Sequence, residues 1–452
     1  VYGAQPGGTL DPTCHGEEPM RPANRSTEHT YFDIHPRIVR AGEPVEITID
    51  ALYEHVHFDP DASYAITQIP CRGMGDYTAV KITAANISPT RITFVHGFAC
   101  EQEHTLRVET IAPDQTRRRL GEFKIYSLEE DLFSKRPLKG DFHMHSSRSD
   151  GKESPAYVAA ACRRIGLDFM ALTDHRQYAP SLEAQQAFAD IETDFDIYPG
   201  EEIHPPGNPV HIVNFGGRSS VNALFVDEAA YRALIDDYAD TLDDIPEGVD
   251  RYHYASTRWS FEKVHEAGGL SLYCHPYWMC GGKYYVTETL NTALIDGQHY
   301  DAYELIGGFS KEEADSNTLQ VARYNEERAK GKVIPVVGVS DAHGCESGDL
   351  FGWYYTVVFA ATPDLEAIHE SIRSCHSVAI EAIDDETPRA YGPFRLVMYT
   401  LFLLREFFPI HDACCEPEGA LMLAHIRGDQ EAAAKISTRK GTVAALYETY
   451  WA

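Results

Sequence analysis

Asp141-Phe142-His143-Met144-His145 reads as a strand with two unlike faces. Successive side chains of extended backbone point to opposite sides, so His143 and His145 share one face and Phe142 and Met144 form the apolar other. Ser149-Asp150-Gly151 follows as a turn bearing a carboxylate. Outward from there, strand-like and helix-like runs alternate. A helix is predicted near Pro155–Ile165, a strand at Asp168–Asp174, a helix near Ser181–Glu192, and strands at Asp196–Ile203 and Val210–Phe215. Helices near Asp227–Asp240 and Phe261–Ala267 precede the strand Leu270–His275, then Tyr300–Ile306 and a long helix Lys311–Lys330. Strands at Val333–Ser340 and Trp353–Ala360 complete a series of about eight alternations, the rhythm of a barrel-like α/β domain.

The polar residues fall at one end of that series. His175 and His275 end their strands, Glu202 lies near the end of its own, His211 begins the next run, and Asp341 and His343 form a second i, i+2 pair. Barrel enzymes build their sites at the carboxyl ends of the strands. The converging set is His143, His145, Asp150, His175, Glu202, His211, His275, Asp341 and His343. It holds too many ligands for one zinc and enough for two or three divalent ions. Adjacent cations make a bridging hydroxide available near neutral pH and polarise the bond it attacks, so hydrolysis needs no protein nucleophile. There is no Gly-x-Ser-x-Gly elbow and no Walker loop. Gly281-Gly282 and Gly307-Gly308 read as turns.

Asp141-Phe-His-Met-His…Ser149-Asp-Gly, Leu172-Thr-Asp-His175, Gly200-Glu-Glu202, His275-Pro276 and Ser340-Asp-Ala-His343 resemble the PHP (polymerase and histidinol phosphatase) family, over about Lys139 to His376. The flanking segments are similar to its carbaryl-hydrolase branch. The resemblance implies a distorted seven-stranded (β/α)7 barrel and two to three zinc, manganese or iron ions. It assigns His143, His145, Glu202 and Asp341 to one ion. Glu202 would bridge to a second ion on His211 and His275, and Asp150, His175 and His343 would hold a third. Glu201 and His204 compete for the place of Glu202, although Gly-x-Glu spacing favours Glu202.

Other residues join the catalytic set by position. Asp174 is placed to orient an imidazole, and Glu304 ends its strand as a similar partner. Arg176 reads either as a bidentate clamp for an anionic substrate or as a solvated surface residue. The aromatic loop Tyr277–Tyr285 reads as a lid or substrate wall, and the acidic stretch Asp236–Asp250 as a solvated loop over the site.

The flanks differ in kind. Residues 1–28 read as irregular coil without a basic-then-apolar leader, and 29–130 as a β-sandwich-like module whose histidines lack ligand spacing. The barrel takes 131–376, and a helical extension 377–452. Phe394–Phe408 is the most apolar run, too short and too charged to span a bilayer. Ten scattered cysteines with no Cys-x-x-Cys pair suggest reduced thiols and a cytoplasmic protein. With 39 Lys plus Arg against 69 Asp plus Glu, the net charge of −30 argues against nucleic acid and anionic membranes as partners. A small, anionic substrate is expected, and a phosphoester is the favoured bond. A carboxyl or carbamate ester, or another neutral substrate, is the alternative. A non-catalytic PHP binding module would lack ligands, and here all nine positions are filled.

Overall fold

Alternation sets the N-terminal strands: in Pro44–Ala51, Ile47 and Ile49 are buried while Glu46 is exposed. The computed structural model describes residues 28–72, 80–82, 85–346 and 350–452, so the irregular segment expected over 1–28 lies outside them up to residue 27. One four-stranded sheet orders Phe32–His35, Pro44–Ala51, Arg91–Gly97 and Ala85–Ile87. A five-stranded sheet orders Ile38–Arg40, Arg117–Leu128, Gln102–Ile111, Ser63–Pro70 and Val80–Ile82. Both contribute to one apolar cluster that includes Ile47, Phe94, Leu106 and Phe123. The histidines here do packing work: His96 and His104 bracket Gln68, and His104 also meets Ser127.

The next part of the chain builds two further sheets. The first orders Asp196–Tyr198, Phe169–Ala171, Arg136–Asp141, Tyr354–Ala360, Ser377–Glu381 and Arg389–Tyr391. The second orders Gly200–Ile203, Ile212–Phe215, Leu270–Tyr273, Ala302–Gly307 and Val336–Val339. The single strand expected over Asp196–Ile203 is therefore two, broken at Pro199, which has no N–H to give a ladder. On the other flank the sheets meet at Gly338, whose Cβ would lie 2.7 Å from the Tyr355 carbonyl. Thr356 Oγ accepts from the Gly338 N–H and donates to its carbonyl, and Ser377 Oγ donates to Val336 O. Phe142, Phe169, Phe215, Leu272 and Val339, drawn from both sheets, share one core.

Three expectations need correction. The region after Ser377 is not wholly helical, because Ser377–Glu381 and Arg389–Tyr391 extend the first sheet before the helices begin. The apolar run Phe394–Phe408 belongs to two helices, Phe394–Glu406 and Phe408–Ile426. Asp236–Asp250 is a loop only in part, irregular over 241–250, and it does not line the cleft. Its start closes the helix Glu228–Asp240, and Asp250 caps the helix Arg251–Glu266, which begins ten residues before the predicted one. No helix among the described residues is long and apolar enough to cross a membrane, and the described cysteines are all free.

The helix Phe408–Ile426 packs on Pro155–Arg164 so closely that a Cβ at Gly419 would lie 2.2 Å from Arg164 N. Arg163, buried at this contact, pairs with Glu418 at 2.6 Å, donates to Leu167 O, and lies 3.7 Å from Asp168. Glu418→Ala would leave a buried guanidinium without its main partner and should cost about 3 kcal/mol. A fall in the urea-unfolding midpoint, partly reversed by adding Arg163→Met, is the expected reading. A loss below about 1 kcal/mol would mean that Asp168 and the Leu167 carbonyl suffice.

Candidate metal centre

The histidine pair keeps its alternation just past the strand that was expected to contain it. Arg136–Asp141 ends before Phe142, but the chain stays extended through a bridge of Met144 to Ala342. Asp341 N donates to His143 O, and His145 N to Ala342 O. Phe142 and Met144 enter apolar cores, while His143 and His145 are buried on the opposite face. Asp141 accepts from His143 N and Ser340 N, so one buried carboxylate fixes both ligand-bearing segments, and burial pushes its carboxyl up to about 7. His275 (φ 25°) and Asp341 (φ 52°) adopt left-handed backbone, a strained conformation that clusters at functional sites.

Glu202 is the hub. Its Oε1 lies 3.0 Å from His211 Nδ1, 3.4 Å from His275 Nε2 and 3.6 Å from His143 Nε2. Its Oε2 lies 3.2 Å from His204 Nε2, 3.7 Å from His145 Nε2, and against His175 Nδ1. Asp341 Oδ1 lies 2.8 Å from His145 Nε2 and 3.3 Å from His143 Nε2. Asp150 meets His175 Nε2 at 3.3 Å and His343 Nε2 at 3.4 Å. All nine expected ligands are thus brought together.

These residues fit divalent ions. Ligand atoms on one ion with bonds of about 2.1 Å stand roughly 3–3.4 Å apart. Ligand atoms of His145, Asp150, His175 and His343 lie within 4.8 Å of one another, as do those of His143, His145 and Glu202 and those of His143, His275 and Asp341. Both Glu202 oxygens, His143 Nε2 and His211 Nδ1 are buried without a partner in hydrogen-bond geometry. Burial alone would raise the Glu202 carboxyl, but His211, His204 and the other imidazoles outweigh it and hold it well below the usual range. Burial likewise opposes ionisation of Asp341, and His143 and His145 reverse it. Burial pushes His211 down to about 4, leaving a neutral imidazole suited to ligation at neutral pH.

The supporting residues divide. Glu304 Oε2 lies 3.4 Å from His143 Nδ1, on the ring edge away from Glu202. Asp174 orients no imidazole, contrary to expectation. It accepts from the N–H and the hydroxyl of both Ser146 and Ser149, and so fixes the turn that carries Asp150. That turn requires Gly151, where a Cβ would lie 2.4 Å from His145 O. Glu201 points the other way and is saturated by Val221 N, Ser220, Asn222 and Asn214, which removes it as a rival to Glu202. Arg176 (φ 58°) is exposed and lines a neighbouring cleft of about 350 Å³ that shares only His204 with the histidine cluster.

The cluster opens into a cleft of about 420 Å³, walled by Trp278, Tyr285 and Leu350 and lined by no Lys or Arg among the described residues. Trp278 and Tyr285 flank a hairpin, Met279–Cys280 with Lys283–Tyr284, turning at Gly281-Gly282. Their rings sit 5.9 and 5.8 Å from His211. Sequence reasoning set His204 aside as a rival of Glu202, and missed Asp141. His204 stands two residues beyond Glu202 on the same strand face, the spacing that marked His143 and His145.

No family model matches the sequence. DNA polymerase/3′-5′ exonuclease PolX of Bacillus subtilis (strain 168) is 41% identical over 68 residues, 15% of this chain and 12% of that protein. A two-domain protein from Bacteroides vulgatus containing a predicted PHP-like metal-dependent phosphoesterase aligns at TM-score 0.37 and 20% identity, over 54% of this chain and 65% of that one. An amidohydrolase from Chromobacterium violaceum aligns at TM-score 0.29 and 21% identity, over 46% of this chain and 89% of that one. The chain thus covers less than two thirds of the first two.

The geometry predicts that purified protein carries two to three equivalents of transition metal by plasma mass spectrometry. Glu202→Gln should lose at least one equivalent, whereas His265→Ala, hydrogen-bonded to Asp301 away from the cluster, should lose none. A full metal complement in Glu202→Gln would deny the carboxylate its hub role.

Proposed function

We propose that the chain is a metal-dependent hydrolase of a small-molecule ester, with a cluster of two to three zinc, manganese or iron ions. The observation that carries this reading is one fully buried carboxylate, Glu202, with six imidazoles within 4.0 Å. Divalent ions supply, when bound, an activated water and Lewis-acid polarisation of the scissile bond. Glu202, Asp341 and Asp150 would hold those ions together with the surrounding imidazoles. Glu304 holds Nδ1 of His143 and leaves Nε2 facing the centre. Trp278 and Tyr285 wall the cleft.

The same reading assigns the chain to the PHP family, in the carbaryl-hydrolase branch, with the two central sheets as its distorted barrel. Residues 29–130 would then form the β-sandwich-like domain, 131–376 the barrel and 377–452 the extension. It also makes the protein cytoplasmic, with no nucleic acid or membrane partner.

For the bond cleaved, a phosphoester is favoured by charge, since two or three cations offset the dianion of a monoester. Arg176 lends that choice no support from its own cleft. A neutral carboxyl or carbamate ester is the second reading, favoured by the aromatic wall and by the lack of lining Lys or Arg. The test compares kcat/KM for p-nitrophenyl phosphate, bis-p-nitrophenyl phosphate and an aryl carbamate on metal-loaded enzyme. Asp341→Asn should lower every activity by more than about 100-fold, beyond the loss typical of an outer-sphere partner. Trp278→Ala should raise KM about tenfold, roughly 1.4 kcal/mol, for an aryl substrate that stacks there and leave methyl phosphate unchanged. Carbamate turnover far above both phosphates would reject the phosphoester.

A further inference from the structure

We propose that His204 is a tenth ligand, completing the ion held by Glu202, His211 and His275; this rests on the metal-hydrolase reading. The nine-residue set is uneven. Four side chains address the ion of His143 and three each of the others, but His145 also lies within reach of the ligand atoms of Asp150, His175 and His343 as a fourth. Only three serve the ion at His211. His204 fills that gap: its ring lies on that of His211 at 3.8 Å, tilted by 16°. His211 Nδ1 addresses Oε1 of Glu202 at 3.0 Å and His204 Nε2 addresses Oε2 at 3.2 Å.

A plain hydrogen bond accounts for this less well. His175 Nδ1, His204 Nε2 and Glu202 Oε2 converge, the two nitrogens 3.1 Å apart, yet neither oxygen of Glu202 is met in hydrogen-bond geometry. His204 Nε2 and His175 Nδ1 pair with each other, while the Glu202 oxygens, buried this close to them and still unserved, are arranged for a cation. The backbone around His204 is also fixed. Asn222 accepts from His204 N and donates to Glu202 O, and Pro205-Pro206 stiffen the exit.

A site of three histidines and a carboxylate is closed, as structural sites are, whereas catalytic sites keep an open position. Four protein ligands would hold that ion more tightly than three, so His204 would make it the most firmly bound of the set.

The test loads metal-stripped protein with cobalt(II) and follows both retained metal and visible absorption. Wild type should fill one tight site before the rest. His204→Ala should weaken that first site by at least about tenfold, with free imidazole restoring it. His204→Cys serves if the alanine variant does not fold, because a sulfur-to-cobalt charge-transfer band appears only when residue 204 touches the ion. Unchanged affinity in His204→Ala, or loaded His204→Cys without that band, would overturn the tenth ligand and leave the hydrolase reading intact. A wild type that takes up no cobalt would instead remove the metal reading, and His204 with it.

Discussion

A carboxylate shut away from water carries a desolvation cost of several kcal/mol unless its charge is met, and Glu202 has no exposed surface. The surrounding imidazoles keep it ionised: burial opposes a charge on His143, His175 and His275, but the neighbouring carboxylates outweigh it and hold all three above the usual histidine range. His211 is held neutral by burial, and no imidazole N–H is aimed at either oxygen in hydrogen-bond geometry. Asp341 adds a second ionised carboxylate beside the same rings. The pocket therefore gathers imidazoles around buried carboxylates without hydrogen-bonding Glu202, an arrangement that divalent ions would satisfy, and that requirement accounts for the convergence of its side chains.

Its first consequence is backbone placed where ordinary residues fit poorly. Gly307 (φ 151°) follows Glu304 by three residues, and a Cβ there would lie 1.9 Å from Val339 O, so only glycine lets those two strands approach. His275 and Asp341 accept left-handed backbone although neither is glycine. Two carboxylates outside the cluster, Asp141 and Asp174, collect backbone N–H groups and hold the turns in place. The left-handed backbone at Arg176, His275 and Asp341 gathers at the site end of the sheets. The opposite end is tied by ordinary packing and by the pair of Arg163 with Glu418.

What was legible in the sequence follows from period-two alternation. It put His143 with His145 and Asp341 with His343 on shared faces, and the structure brings all four together. It also located most strands of the two central sheets. Alternation is blind to turns, however. It could not show that the residue after His175 adopts left-handed backbone and carries Arg176 into another cleft, or that Asp174 serves a serine turn. Ser377–Glu381 was missed because helical apolar spacing downstream swamped a short strand whose pairing with Tyr354–Ala360 is made far along the chain. Gly-x-Glu spacing favoured Glu202 over Glu201, and their partners agree: Glu201 is saturated by Asn222 and its neighbours, whereas the Glu202 oxygens have no hydrogen-bond partner.

The centre also joins the two sheets. His143, His145 and His175 follow strands of the first, whereas Glu202, His211, His275 and Asp341 belong to or flank strands of the second. Ions shared across that boundary would cross-link strand ends otherwise joined through the Gly338 seam and a common apolar core. They would also reverse the local sign of charge. The chain carries −30 overall, but surface fields fade within about 8–10 Å at physiological salt. Inside the cleft, two or three divalent ions would outweigh Glu202, Asp341 and Asp150. A small anion would thus be drawn in only at short range, by the ions alone, since no Lys or Arg lines the wall among the described residues. A neutral aryl ester would gain nothing from that charge on approach and would depend on Trp278 and Tyr285 to hold it. Selectivity between two such substrate classes would therefore be divided between the ions and the aromatic rings that flank one hairpin.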